Sequence, residues 1–217
     1  MFGKLFGRKK KKDEGPDPAE IAADEAFAEA KQAALERVLG PMDDMVLHAI
    51  IPFCMGGGLD LYTFSKCIPG TVVATQELIT RDKKSRTKRG KAGHFELVAC
   101  LPPSSKGQQD DEGISLVNRI LNPVGMYASM AALSPGETAE IPGEDDGDPS
   151  QPLLLDAFNP KNVPFDFNGE RFALLLCMPI TQQELAFARE EGSEKLIVKL
   201  KAAGVYPYAN VGRASVV

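Results

Sequence analysis

Two histidines, four cysteines and a few clusters of charge are the groups in this 217-residue chain whose types could do chemistry. His48 and His94 lie in strand-like surroundings, and neither has an adjacent carboxylate or cysteine in the sequence. An imidazole becomes a general base when another group orients it and tunes its proton affinity. As isolated strand residues, both histidines read as structural. Zinc needs three or four His, Cys or carboxylate ligands at characteristic spacings, and the sequence shows no such cluster. Cys54, Cys67, Cys100 and Cys177 are scattered without a C-x-x-C spacing. They read as small buried hydrophobes and not as a disulfide framework.

The glycine and aspartate clusters have structural readings as well. Gly56-Gly57-Gly58 lacks the Lys-Ser/Thr ending of a phosphate loop, and a strand-like stretch follows it where a dinucleotide site needs a helix. It reads as a turn. Asp145, Asp146 and Asp148 lack the twelve-residue spacing of a calcium loop and read as a solvated acidic loop. No G-x-S-x-G elbow is present to support a serine hydrolase. The expectation is a chain with no enzymatic reaction, no metal, no cofactor and no small-molecule substrate.

Charge is the more informative feature. The net charge is −5, but Lys4 with Arg8–Lys12 contributes six positive charges, and Arg81–Lys91 contributes a net six more. The remainder therefore carries −17. An acidic body argues against nucleic acid as a partner, because attraction to phosphate dominates that affinity. Phe2, Leu5 and Phe6 with Arg8, Lys9, Lys10, Lys11 and Lys12 are candidates for weak contact with an anionic membrane surface. Each cation near such a surface contributes on the order of 1 kcal/mol. Lys83, Lys84, Arg86, Lys88, Arg89 and Lys91 are candidates for docking an acidic partner, and Arg213 near the C-terminus is a further one. The loop contains no aromatic residue to stack on RNA bases.

The elements that must carry these groups follow from periodicity. Residues 1–18 lack a core-forming pattern and read as a basic disordered tail and linker, followed by an N-terminal helix region over 19–44 and an α+β domain over 45–217. Asp17 or Pro18 starts the helix, Ala19–Leu39 sustains it and Gly40-Pro41 stops it. Strands are expected at Val46–Phe53, Leu59–Phe64, Thr71–Thr80 and His94–Leu101, an antiparallel run with the basic loop at a hairpin tip. Gly113–Leu133 has helical spacing, and Pro123 inside it predicts a kink or two helices. Thr138–Ile141 is a short strand, Pro152–Phe158 a buried segment, and Glu170–Ile180 a central strand. Thr181 and Glu184 form a capping box that opens the next helix. Gly192-Ser193 breaks it, Ser193 can cap a second segment over Glu194–Ala203, and Gly204 ends that segment. The sum is an α+β fold: a mixed, largely antiparallel sheet flanked by helices, a single domain behind its tail. No apolar run approaches the roughly 20 residues of a membrane span, and no signal-like segment opens the chain, so cytoplasmic residence is expected.

Leu174–Leu200 joins an apolar strand, a Pro-Ile-Thr turn, a Glu-Leu helix start and a Glu-Gly-Ser break. Asn210–Val216 (NVGRASV) closes with an Arg and a Ser after a turn. These features, with Leu59–Phe64, Ala74–Ile79 and Glu96–Pro102 in order upstream, resemble the suppressor-of-fused family over roughly residues 45–217. The chain departs from the family in lacking its glycine-containing turn near Gln76–Ile79 and in the basic loop Lys83–Lys91. The resemblance implies a compact α+β domain with no known enzymatic reaction. Animal members hold a transcription-factor peptide partly by strand addition, and some bacterial members resemble immunity proteins. The resulting expectation is a cytoplasmic protein-binding domain whose partner is another protein or peptide, held at a sheet edge or beside the last helix. The alternative is a membrane-peripheral scaffold at the inner membrane face, directed by the tail.

Overall fold

A computed structural model describes residues 17–81, 88, 93–103, 111–143 and 147–217. Helix α1 (Pro18–Leu39) begins as its sequence suggests: Asp17 accepts the Ala19 N–H at 3.0 Å, and Pro18 takes a position where no N–H is needed. Gly40, at φ 94°, ends it. The C-terminal half of α1 buries Lys31, Ala34, Leu35, Val38 and Leu39.

Among the described residues nine strands follow: β1 (Val46–Leu47), β2 (Leu61–Phe64), β3 (Thr71–Thr75), β4 (Phe95–Leu101), β5 (Thr138–Ile141), β6 (Gln151–Ala157), β7 (Asp166–Phe167), β8 (Glu170–Arg171) and β9 (Ala173–Pro179). Seven form one sheet in the order β1-β2-β3-β4-β9-β6-β5, and β7 pairs with β8 in a small hairpin. All neighbours are antiparallel except β4 and β9, which run parallel. The sheet is therefore mixed and largely antiparallel, as expected. Helix α2 (Asp111–Ala128) covers one face. Helices α1, α3 (Gln182–Glu191) and α4 (Ser193–Ala202) cover the other.

The period-two rule divides the core between the two faces. Val73, Leu97, Ala99, Leu153, Leu155, Leu175 and Cys177 pack with Val117, Ile120, Leu121 and Val124 of α2. Val72, Ala74, Val98, Cys100, Leu154, Leu174, Leu176 and Met178 pack with Leu35, Leu39, Leu185, Leu196 and Leu200. Strands buried on both faces lose the polar alternation of a solvated sheet, which is why β4 and β9 read as continuous apolar runs.

Several boundaries differ from the sequence reading. The expected strand over Val46–Phe53 is only two residues long, and a 3₁₀ turn occupies Phe53–Met55. Asp60 Oδ1 accepts the Ala49 N–H at 2.8 Å, drawing the chain out of the ladder and leaving Ile50 fully exposed. The expected strand over Thr71–Thr80 stops at Thr75, because the Glu96 carboxylate takes the Leu78 and Ile79 N–H groups that a strand partner would need. Pro123 sits within one continuous helix, α2, which ends at Ala128. The Thr181 capping box forms in full, with Glu184 N–H to Thr181 Oγ1 at 3.2 Å and Thr181 N–H to Glu184 Oε2 at 2.9 Å. Ser193 opens α4 without a capping bond from its side chain; Gly192 is the cap residue. No helix of the described residues is long and apolar enough to cross a membrane.

Candidate functional site

The groups with catalytic potential do not converge. His48 Nδ1 lies 2.9 Å from Asp60 Oδ2, a pairing the sequence did not reveal. The imidazole is 71% exposed, however, and Asp60 also receives the Ala49 N–H, so the carboxylate organises the β1–β2 turn. His94 lies far along the chain, in a cavity of about 710 Å³ shared with Phe27, Phe172 and Arg81, and among the described residues its buried Nδ1 has no hydrogen-bond partner. Arg81 in that cavity is bound to Glu20 and Asp24 of α1. Burial pushes the Cys100 and Cys177 thiols far up from their ordinary range, which removes the reactive thiolate at neutral pH. Among the described residues no three His, Cys, Asp or Glu side chains are grouped as a metal site.

The feature that stands out lies at the other end of the sheet. Among the described residues β5 has a strand neighbour, β6, on one side only. The Ile180 N–H donates to Pro152 O, so even-numbered residues of β6 turn their backbone toward β9; the Leu155 N–H donates to Glu137 O, so odd-numbered ones turn toward β5. With Ala139 opposite Leu153 and Ile141 opposite Gln151, the backbone N–H and C=O of Thr138 and Glu140 point outward, along the open edge. An open edge of this kind is a template for pairing with another chain.

A groove of about 820 Å³ runs along that edge, between the C-terminal turn of α2, β5 and the junction of α3 with α4. Met126, Tyr127 and Met130 line it and are 52%, 50% and 64% exposed. Large apolar side chains left outside the core and gathered in a concavity mark interaction sites. Methionine, being unbranched and polarizable, adapts to varied apolar partners. The inward face of α2 is taken by Val117, Ile120, Leu121, Val124 and Ala128; Met126 lies opposite that face, Tyr127 at its flank, and Met130 in the turn after the helix ends at Ala128. Sequence reasoning read Gly113–Leu133 as helical throughout and did not single out these three residues. The overlooked signals are Met126, opposite the inward spacing of α2, and Met130, just past the helix end at Ala128.

The predicted docking cations are distributed as follows. Lys83, Lys84, Arg86, Arg89 and Lys91 lie outside the described residues, as do Phe2, Leu5, Phe6, Arg8, Lys9, Lys10, Lys11 and Lys12 of the tail and the acidic pair Asp145 and Asp146. Lys88 is described and exposed; its N–H donates to Ala128 O at 2.8 Å, and its backbone bridges to Ala132. It thus stands beside the groove, at the end of α2. Arg213 is placed elsewhere. Its guanidinium is 7% exposed and donates to both oxygens of fully buried Glu184, at 2.6 and 2.7 Å. Burial acts to raise the Glu184 carboxyl, but Arg213 and the Thr181 and Val216 N–H groups outweigh it, and the group titrates below its ordinary value. This pair straps the C-terminal segment to the start of α3.

A second buried pair joins α1 to the sheet. Lys31 Nζ lies 3.4 Å from Glu96 Oε1 and also donates to the carbonyls of Gln76 and Ile79, the latter at 2.9 Å. Glu96 further accepts from Thr75 Oγ1 at 2.7 Å.

Comparison with known proteins places this geometry. No curated protein sequence matches the chain. Several solved structures share its fold, among them the following three. A chain of the Sufu–Fu complex is 14% identical with a TM-score of 0.61, the match covering 89% of this chain and 91% of that one. A suppressor of fused homologue from Neisseria gonorrhoeae is 15% identical with a TM-score of 0.54, over 89% of this chain and 98% of that one. Drosophila Suppressor of Fused is 16% identical with a TM-score of 0.59; the match covers 87% of this chain and spans half of that longer one. The family model described as suppressor of fused protein matches residues 74–214, more than half of the sequence, and the chain belongs to that family.

Proposed function

We propose that this chain is a non-catalytic protein-binding domain that captures an extended segment of another protein along β5. The observation that carries the reading is the open edge at Thr138 and Glu140 beside a groove whose apolar lining reaches solvent. Strand addition draws affinity from backbone hydrogen bonds, and pockets for alternate side chains supply selectivity. A structure in which a family member is complexed with another protein, Sufu with Fu, supports a protein as the class of partner. The dispersal of His48, His94 and the buried thiols supports a role without catalysis. Capture of a secreted toxin, as an immunity protein, is one concrete form of this function in the cytoplasm.

The test uses the full chain with a photo-crosslinking residue at position 130, and a control with the same residue at exposed Val198 of α4. Adducts with another protein are expected at position 130 and not at position 198. Thr138→Pro removes an outward-facing N–H while leaving the β5–β6 ladder intact, and it should abolish those adducts. Equal labelling from both positions, untouched by Thr138→Pro, would refute the reading.

A second reading concerns residues 1–12, whose three apolar side chains and six cations suit an anionic lipid surface. Co-sedimentation of the full chain with vesicles containing phosphatidylserine, against a chain beginning at Pro18, decides it. Equal partitioning of the two would exclude the tail as a membrane contact.

A further inference from the structure

The connection from β1 to β2 carries apolar side chains that the core does not use. Ile50 is fully exposed, and Ile51 and Met55 are more than half exposed. Phe53, between them, is partly buried and packs against the α2 side of the core. Met45–Leu59 contains no Lys, Arg, Asp or Glu. Single exposed apolar residues are ordinary, but several gathered at one tip mark a contact surface.

The loop is anchored at both stems. The Ala49 N–H donates to Asp60 Oδ1 at 2.8 Å, and the Leu59 N–H donates to Asn122 Oδ1 of α2 at 2.6 Å. Between the stems the chain closes on itself. The Met55 and Gly57 N–H groups donate to Pro52 O at 2.9 and 3.1 Å, the Gly56 N–H to Phe53 O at 3.0 Å, and the Gly58 N–H to Ile51 O at 3.0 Å. This closure draws residue 57 so near residue 51 that a Cβ on Gly57 would collide with the Ile51 carbonyl oxygen. Ile50, Ile51 and Met55 are therefore presented by a fixed backbone, which has little freedom left to lose when they are covered.

We infer that this tip inserts into the surface layer of a lipid bilayer. An irregular loop that enters hydrocarbon must satisfy its backbone from within, because lipid offers no hydrogen bonds, whereas a protein hollow can supply them. The N–H groups of residues 55–58 are satisfied inside the loop. The tip also carries no ion to desolvate: His48 sits at the stem, against Asp60. Such insertion differs from attraction of the basic tail. Outside the two basic segments the chain carries −17, which an anionic surface repels, while an uncharged loop needs no surface charge to enter. It is also independent of capture along β5. β1 and β5 are the two end strands of the sheet, six spacings of about 4.8 Å apart, so about 29 Å separates them and both contacts fit at once.

The experiment attaches an environment-sensitive fluorophore to Cys54, an exposed thiol in the same tip, in the full chain carrying Cys67→Ala. The labelled protein is titrated with phosphatidylcholine vesicles, which bear no net charge. A control carries the label at Val198→Cys of α4, with Cys54→Ser and Cys67→Ala. Brighter, blue-shifted emission is expected from position 54 and not from position 198, and it should persist in high salt. Ile50→Asp with Met55→Asp changes two exposed positions and should leave the urea midpoint in place. It is expected to weaken partitioning at least about tenfold, read by co-sedimentation. No shift from position 54 at any lipid concentration would overturn the inference, as would equal partitioning of the double variant. A response confined to phosphatidylserine vesicles and abolished by salt would assign the contact to the tail cations and overturn it too. If the double variant dissociates a self-associated chain while the label ignores vesicles, the tip is a contact between copies and the lipid reading falls. None of these results touches the reading of the β5 groove.

Discussion

Replacing Lys31 by methionine tests whether α1 is part of the same cooperative unit as the sheet. Lys31 is 5% exposed and Glu96 is fully buried, so the substitution leaves a carboxylate in the core without its cation. Glu96 keeps three donors, from Thr75, Leu78 and Ile79, and is not stranded entirely. The carbonyls of Gln76 and Ile79 lose the Lys31 donor as well. Breaking one side of a buried pair costs about 3–5 kcal/mol. That is a large fraction of the roughly 5–15 kcal/mol that holds a domain together. For a domain of this size the melting midpoint should fall on the order of 10 °C. Urea unfolding followed by circular dichroism at 222 nm measures the change, and a cycle with Glu96→Gln isolates the pair. Removing the charge from both partners should be less harmful than the two single losses combined, by about 1–3 kcal/mol. A midpoint for Lys31→Met within error of the wild type would refute the reasoning. It would mean that α1 frays from the sheet before the rest unfolds, despite burying Leu35, Val38 and Leu39.

Three further outcomes follow from the same geometry. Glu184 titrates below its ordinary value of 4.5 in the folded chain, so its contribution is fully present above about pH 4.5 and is lost as pH falls through the lower folded value; Arg213→Met should lower stability at neutral pH and flatten the acid limb of a pH–urea midpoint profile, and a parallel acid limb would contradict this. Gly70 has φ 94°, and a Cβ there would press into the Leu101 carbonyl oxygen, so Gly70→Ala should cost at least about 1–3 kcal/mol, read as a shift in urea midpoint. Cys54 is exposed whereas Cys100 and Cys177 are buried, so a disulfide reagent should modify Cys54 rapidly in the native chain and the buried pair only after denaturation.

Local chemistry was legible wherever a short stretch decides its own conformation. Asp17 and Pro18 start α1, Thr181 and Glu184 cap α3, and Gly192 separates α3 from α4, each because the partners lie within a few residues. Strand ends were less legible where a distant carboxylate competes with the ladder. Asp60 ends β1 early and Glu96 ends β3 early, by taking N–H groups from chain segments that alternate well enough to continue. The basic loop was visible as charge, but the placement of Lys88 against the end of α2 was not. Arg213 was visible as a charge near the terminus and is consumed by Glu184, 29 residues earlier.

By itself the sequence determined the main helices and several of the strands, the α+β class and the uneven division of charge, because periodicity, caps and composition act within one stretch of chain. Tertiary structure alone decided that β5 ends the sheet, that β9 lies between β4 and β6, and that Met126, Tyr127 and Met130 face a groove. Strand order and the exposure of a helix face depend on which surfaces meet. Those meetings join residues far apart in sequence, by hydrophobic burial that has no direction of its own.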